Sequence, residues 1–110
     1  MMNSRLELQK KLEEVLGIHN VYFQPPASKK LEYPCIVYSL MNIRERKADD
    51  IKYKRDYMYR VTLIHQDPDN DIVDKILTLP YSNFENHYST QGLNHYVFGI
   101  YYKKEKENKQ

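Results

Sequence analysis

Leu8, Leu12, Val15 and Leu16 recur at i, i+4, i+7 and i+8, one stripe of an α-helix. Ser4 and Glu7 stand before that stripe at the S-x-x-E spacing of a capping box, and Gly17 follows it where a helix ends most easily. These signals predict a first helix over residues 4–16. Val21-Tyr22-Phe23 is a short β-prone run, closed by Gln24-Pro25-Pro26. The next strand is predicted over 33–43, where Cys35-Ile36-Val37-Tyr38 is apolar on both faces. Over 53–65 the pattern alternates, with Tyr57, Tyr59, Val61 and Leu63 on one face and Met58, Arg60, Thr62 and Ile64 on the other. Such a strand belongs to a sheet covered fully on one side and partly on the other.

Asp67-Pro68 predicts the start of a second helix, with Asp as cap and Pro in the first turn. Its stripe is Ile72, Val73, Ile76 and Leu77, and Leu79-Pro80 ends it. Two further strands, near 83–89 and 94–102, are joined by a turn at Gln91-Gly92. The order is α-β-β-β-α-β-β: an α+β fold with two helices on one face of a mainly antiparallel sheet. With 110 residues the chain makes one domain, expected over 1–102, followed by a charged and disordered tail at 103–110.

Composition sharpens this only in part. Hydrophobic residues make up 41% and charged residues 29%, a globular balance. The apolar total leans on 11 Tyr, with 3 Phe and no Trp, and the mean hydropathy of -0.80 is low for a large independent core. A domain of this size buries only about two-thirds of its unfolded surface, so modest intrinsic stability is expected. No apolar run reaches the roughly 18–20 residues that cross a bilayer, and no signal-peptide core opens the chain, so neither membrane insertion nor secretion is expected. Seventeen basic residues against 15 acidic ones are too even for a nucleic-acid footprint.

Motifs for catalysis are missing where they would be needed. His19, His65, His87 and His95 show no metal-ligand spacing, and His65 with Asp67 reads as a solvated pair at a strand end. Asp67, Asp69 and Asp71 imitate the opening of an EF-hand loop, but Ile72 replaces its glycine and Thr78 its bidentate glutamate. Cys35, the single cysteine, sits in an apolar run as an inert thiol. Glu13-Glu14 and Asp49-Asp50 are adjacent in sequence and point apart in any regular element. Three glycines offer no phosphate loop. Neither an enzyme nor a cofactor is expected.

Two features remain as candidate interaction sites. Residues 44–52 are polar almost throughout, with Arg44, Arg46, Lys47 and Lys52 set against Glu45, Asp49 and Asp50. Joining two strong strands, they form either a long protruding hairpin or a flexible loop. They are expected to project, to be mobile in the free monomer, and to become ordered only against a neighbouring subunit or another partner protein. The second feature is aromatic: Tyr57, Tyr59, Tyr96 and Tyr101 lie on strands interleaved with Lys54, Arg55 and Arg60. Half-buried packing, a protein interface and a stacking platform for single-stranded bases all remain open.

Taken together, the order of elements and several phrases resemble the tail-completion proteins of long-tailed bacteriophages, the tail terminators and tail-to-head joining proteins. The resemblance spans residues 6–102. It runs through Leu16-Gly17, Asn20-Val21-Tyr22-Phe23-Gln24-Pro25-Pro26, Tyr33-Pro34-Cys35-Ile36-Val37-Tyr38, Tyr59-Arg60-Val61-Thr62-Leu63-Ile64, Leu79-Pro80-Tyr81 and Leu93-Asn94-His95-Tyr96-Val97-Phe98. It implies a non-enzymatic virion protein forming a six-fold ring at the head-proximal end of the tail, after release into the host cytoplasm. The implied partners are further copies of the chain, the tail tube protein and a head-completion or neck protein, with genomic DNA only as passing cargo and no membrane. The alternative is a small nucleic-acid-binding domain using the Tyr/Lys/Arg sheet face, whose binding would fall steeply with salt.

Overall fold

The structure, a computed structural model, describes residues 4–48 and 52–107. Its elements are α1 (Ser4–Leu16), β1 (Val21–Phe23), β2 (Cys35–Ala48), β3 (Lys52–His65), α2 (Ile72–Leu77), β4 (Ser82–Thr90) and β5 (Leu93–Glu107). The five strands form one sheet in the order β1-β2-β3-β5-β4. β1 joins β2 in parallel, and every other pairing is antiparallel. The fold is therefore the expected α+β arrangement, with a mixed and mostly antiparallel sheet.

Both helices cover the same side. Leu8, Leu12 and Leu16 of α1 and Ile72 and Ile76 of α2 are buried with Ile36, Tyr38, Tyr59, Val61, Leu63, Tyr96, Phe98 and Ile100 from the strands. The opposite side, called the open side below, carries Val37, Met58, Thr62, Val97 and Tyr101, all half-buried. A polar network fixes α1 to the sheet. Tyr38 donates its hydroxyl proton to Gln9 Oε1, Arg5 Nη1 donates to the Tyr38 hydroxyl at 3.2 Å, and Gln9 Nε2 donates to the Val21 carbonyl at 3.1 Å. Burial is the main cause that raises the Tyr38 pKa. Cys35 is buried, and desolvation pushes its thiol up to about 11, which keeps it protonated and unreactive near neutral pH.

Local signals fare unevenly. Gly17 closes α1 with φ +87°, its amide donating to the Glu13 carbonyl at 2.8 Å. Gln91 and Gly92 both take positive φ, as the two-residue turn between β4 and β5 requires. The second helix departs from expectation: it begins at Ile72, not at Asp67-Pro68. Asp67 instead accepts the Asp69 amide at 2.9 Å within a turn. Asn70 Oδ1 then accepts the amides of Ile72 and Val73 at 3.0 and 3.3 Å, so Asn70 does the capping. Glu7, in the first turn of α1, accepts the Tyr102 hydroxyl at 2.6 Å.

Larger corrections fall at the strand ends. β2 continues to Ala48 and β3 starts at Lys52, with the register running to Ala48↔Lys52. Residues 44–48 and 52 are thus the arms of a long hairpin, held by their own ladder and not by a neighbour; Asp49 and Asp50 lie outside the described residues. β5 likewise runs to Glu107, where a disordered tail is expected from residue 103. Its outer half pairs with β3 down to Lys52↔Glu107. A polar segment takes strand form when a neighbouring strand satisfies its amides and carbonyls, whatever its hydropathy.

Leu12 is fully buried where α1 crosses the sheet, whereas Leu6, on the same helix, is largely exposed. Leu12→Ala is expected to cost about 2–5 kcal/mol through lost transfer energy and a residual cavity. Leu6→Ala is expected to stay within about 0.5 kcal/mol of the parent. Urea denaturation of the two variants checks both values.

Candidate interaction surface

The sheet changes width along its length. β1 follows β2 only as far as Phe23↔Tyr38, and β4 follows β5 only as far as Ser82↔Ile100. Beyond those points β2, β3 and β5 continue alone as a three-stranded arm, which gives the molecule its 54 × 25 × 22 Å extents. On the open side of the arm Arg44 lies opposite Asp56, and its Nη2 donates to Asp56 Oδ2 at 3.2 Å. The Asp56 side chain is almost wholly buried, whereas 62% of the Arg44 side chain is exposed. On the helix side Arg55 Nε donates to Glu45 Oε2 at 2.7 Å, again directly across the ladder. Arg44 and Glu45, two of the charges expected to meet a partner, are therefore engaged inside the arm. Arg46 and Lys47 occupy β2 opposite Lys54 and Tyr53, and Lys52 opens β3.

The four candidate tyrosines do not form one surface. Side chains alternate along a strand, so Tyr57, Tyr59 and Tyr96 point to the helix side and Tyr101 to the open side. Tyr59 is only 3% exposed and packs edge-on against Phe23 and Tyr38. Tyr96 is also buried and donates its hydroxyl proton to the Pro68 carbonyl at 3.3 Å. Tyr57 is half-buried against the core, which leaves Tyr101 on the open side next to Met58. An aromatic face made of these four is corrected to core packing plus one open-side ring.

At the root of the arm a cavity of about 190 Å³ is lined by Leu8, Lys11, Leu79, Pro80, Tyr81 and Tyr102, among others. Lys11 Nζ lies 5.9 Å from the centre of the Tyr102 ring. Tyr81 sits there at φ +60°, a left-handed conformation unusual for an aromatic residue. Ser82, the next residue, ties the chain down by donating to the carbonyls of Leu79 and Ile76 at 2.7 and 3.1 Å. The cavity is mainly apolar with one cation at its rim, a shape suited to a side chain and not to acid–base chemistry.

β4 is the surface that sequence reasoning passed over. Phe84 meets Phe98 edge-on at 5.7 Å on the helix side, and His87 stacks on Tyr96 at 4.6 Å. On the open side Tyr88 stacks on His95, also at 4.6 Å, and the His95 Nδ1 is buried without a hydrogen-bond partner. Towards the other end of that ladder Gly99 leaves room for Glu85, the residue that bulges from β4: a Cβ at Gly99 would come to 2.5 Å from its carboxylate. The alternation Phe84, His87 against Asn83, Asn86, Tyr88 was the available signal, weakened by that bulge.

His65 and Asp67 do come together, but through the Asp67 amide, which donates to His65 Nδ1 at 3.0 Å. Among the described residues no group of three or more His, Cys, Asp or Glu is placed to hold a metal ion. No helix among them is long and apolar enough to cross a membrane. Neither a family model nor a curated protein sequence matches the chain.

The Tyr102–Glu7 contact gives a pH signature. Burial and the hydrogen bond to Glu7 push the Tyr102 hydroxyl up to about 12, above the value near 10 of an unfolded tyrosine. A raised pKa contributes stability that is fully present below about pH 10 and lost as the pH rises through about 12. In Tyr102→Phe, stability should be lower at pH 7 by about 1 kcal/mol. Its decline between pH 10 and 12 should be shallower than the parent's, as read by denaturation across that range.

Proposed function

We propose that the protein is a structural ring component at the head-proximal end of a phage tail, where it ends the tube and joins tail to neck. The observation that carries this reading is the three-stranded arm, which projects beyond the helices and leaves strand edges open on both sides. A body with a small core and a preformed projecting sheet suits assembly with other copies, because neighbours bury surface that the monomer cannot. The resemblance to tail-completion proteins, running from Leu16-Gly17 to the closing Leu93–Phe98 phrase, supplies the place in the virion. The nucleic-acid alternative is weakened by the burial of Tyr59 and Tyr96, which removes two of the four rings it needs.

Immunogold electron microscopy of assembled tails tests the location. Label confined to the head-proximal end supports the reading, and label along the tube or at the distal tip overturns it. The arm has its own test: replacing residues 46–50 with an Asn-Gly turn. The change should move the melting temperature by no more than about 2 °C, because it lies beyond the packed core. The same change should leave filled heads and free tails unjoined. Normal infectious particles from that variant would deprive the arm of its role.

A further inference from the structure

β4 is a nine-residue edge strand whose sequence, SNFENHYST, contains one carboxylate and no Lys or Pro. Those two residues are common means by which natural sheet edges discourage pairing, so this edge lacks them. Its one interruption is the bulge at Glu85. On the far side of the sheet, β1 ends at Phe23, and the Gln24 side chain accepts the Leu40 amide at 3.1 Å. From Met41 to Ala48, β2 then runs as a second open edge of nearly equal length.

We propose that the β4 edge of one copy pairs antiparallel with residues 41–48 of β2 in the next copy, continuing the sheet from subunit to subunit. Strand direction is the first argument. β4 runs opposite to β5, β5 opposite to β3, and β3 opposite to β2, so β4 and β2 are antiparallel. Copies repeated head to tail keep their sense, which brings β4 to β2 of its neighbour in the stronger of the two ladder geometries. The second argument is the match of faces. Phe84 and Ile43 are each 46% exposed, and both lie on the helix side, opposite Phe98 and Tyr57. On the open side the residues near the two edges are mostly polar: Asn83 and Asn86 on β4, with Tyr88 laid flat on His95, and Asn42 and Arg44 on β2. A sheet continued with its helices on one side sets apolar beside apolar and polar beside polar.

Charge gives a third argument. β4 contains one carboxylate, Glu85, and no Lys or Arg, whereas residues 41–48 contain Arg44, Arg46 and Lys47 against Glu45. A two-fold β4–β4 pairing would leave both β2 edges open, whereas the head-to-tail pairing occupies every one once the ring closes. Closure into a ring rests on the function proposed above; the pairing itself rests on strand direction and side-chain placement.

The test uses the full chain in sedimentation velocity up to about 1 mM, beyond which an association is too weak to matter. The parent should grow past the dimer with concentration. Phe84→Lys and Ile43→Lys, each damaging one edge, should each weaken self-association about tenfold or more. Mixed in equal amounts they should form a one-to-one heterodimer and nothing larger, because each supplies the intact edge the other lacks. Ser89→Lys, an exposed change on β4, replaces Phe84→Lys if circular dichroism shows that loss of the Phe98 contact unfolds the latter. A parent that stays monomeric at 1 mM overturns the proposal. So does an Ile43→Lys variant that associates like the parent, or a mixture that stays monomeric. Tails that carry the label at the head-proximal end and assemble normally with both lysine variants overturn the edge pairing and leave the tail reading intact. Edge pairing in solution with label elsewhere on the tail does the reverse.

Discussion

β3 is paired on both sides along its whole length, from Ala48↔Lys52 and Lys52↔Glu107 at one end to Cys35↔Ile64 and His65↔Asn94 at the other. Everything else in the structure depends on that doubly bonded central strand. Where β3 carries Tyr59, Val61 and Leu63, the ladder doubles as a floor for α1 and α2, and the apolar core forms there. Where it carries Lys52 to Asp56, the ladder continues after the core has stopped. One strand therefore joins a body stabilised by buried side chains to an arm held by backbone hydrogen bonds and cross-strand ion pairs. Free energies of local opening should fall along β3 from Leu63 towards Arg55, because apolar burial falls in the same direction.

This division explains what the sequence discloses and what it conceals. Leu8, Leu12 and Leu16 announce α1 because one face of that helix meets the core, and periodicity records the meeting. Residues 44–48 and 103–107 have no such record. Their strand form is fixed by a partner strand, close by in sequence for 44–48, as with Ala48↔Lys52, and about fifty positions away for 103–107, as with Lys52↔Glu107, and a charged segment with a ladder reads the same as one without. Asp67-Pro68 misleads for a local reason: Asp67 can serve equally a helix cap or a turn, and Asn70, three residues on, takes the cap. The tyrosines separate by parity along β3 and β5. Tyr96 and Tyr101 are an odd number of positions apart, so no flat strand could present both on one side.

Burial of Asp56 shows how the arm keeps a defined shape without a core. Its carboxylate lies under the ladder between β2 and β5, and Arg44 reaches over it from the water. The arginine keeps most of its hydration, so the pair avoids the penalty of desolvating both ions, while the buried acid gains a charged donor. Arg55 and Glu45 form a second cross-strand pair on the other side, with the carboxylate now exposed, and such a pair contributes little to stability. Its effect is on geometry: one cross-strand pair on each side of the sheet resists a slip of β2 against β3, because a one-residue shift would carry each charge to the wrong side.

A preformed arm and a disordered loop would make different kinds of partner. A loop that folds on contact spends part of its interaction energy on ordering its own backbone, at about 1–2 kcal/mol per residue. An arm already laddered to β3 has met that cost during folding, so the free energy gained on contact goes into affinity. The exposed side chains available for contact, Ile43 on β2 and Phe84 on β4, sit at the two edges of a single sheet. In the edge pairing proposed above, one copy would satisfy only one edge of another at a time, so every pairing would leave a further edge open at each end of the assembly. In the ring proposed above, open ends of that kind would be removed only when the last copy meets the first, so the rotation between neighbours, set by sheet twist, would fix how many subunits close the circle.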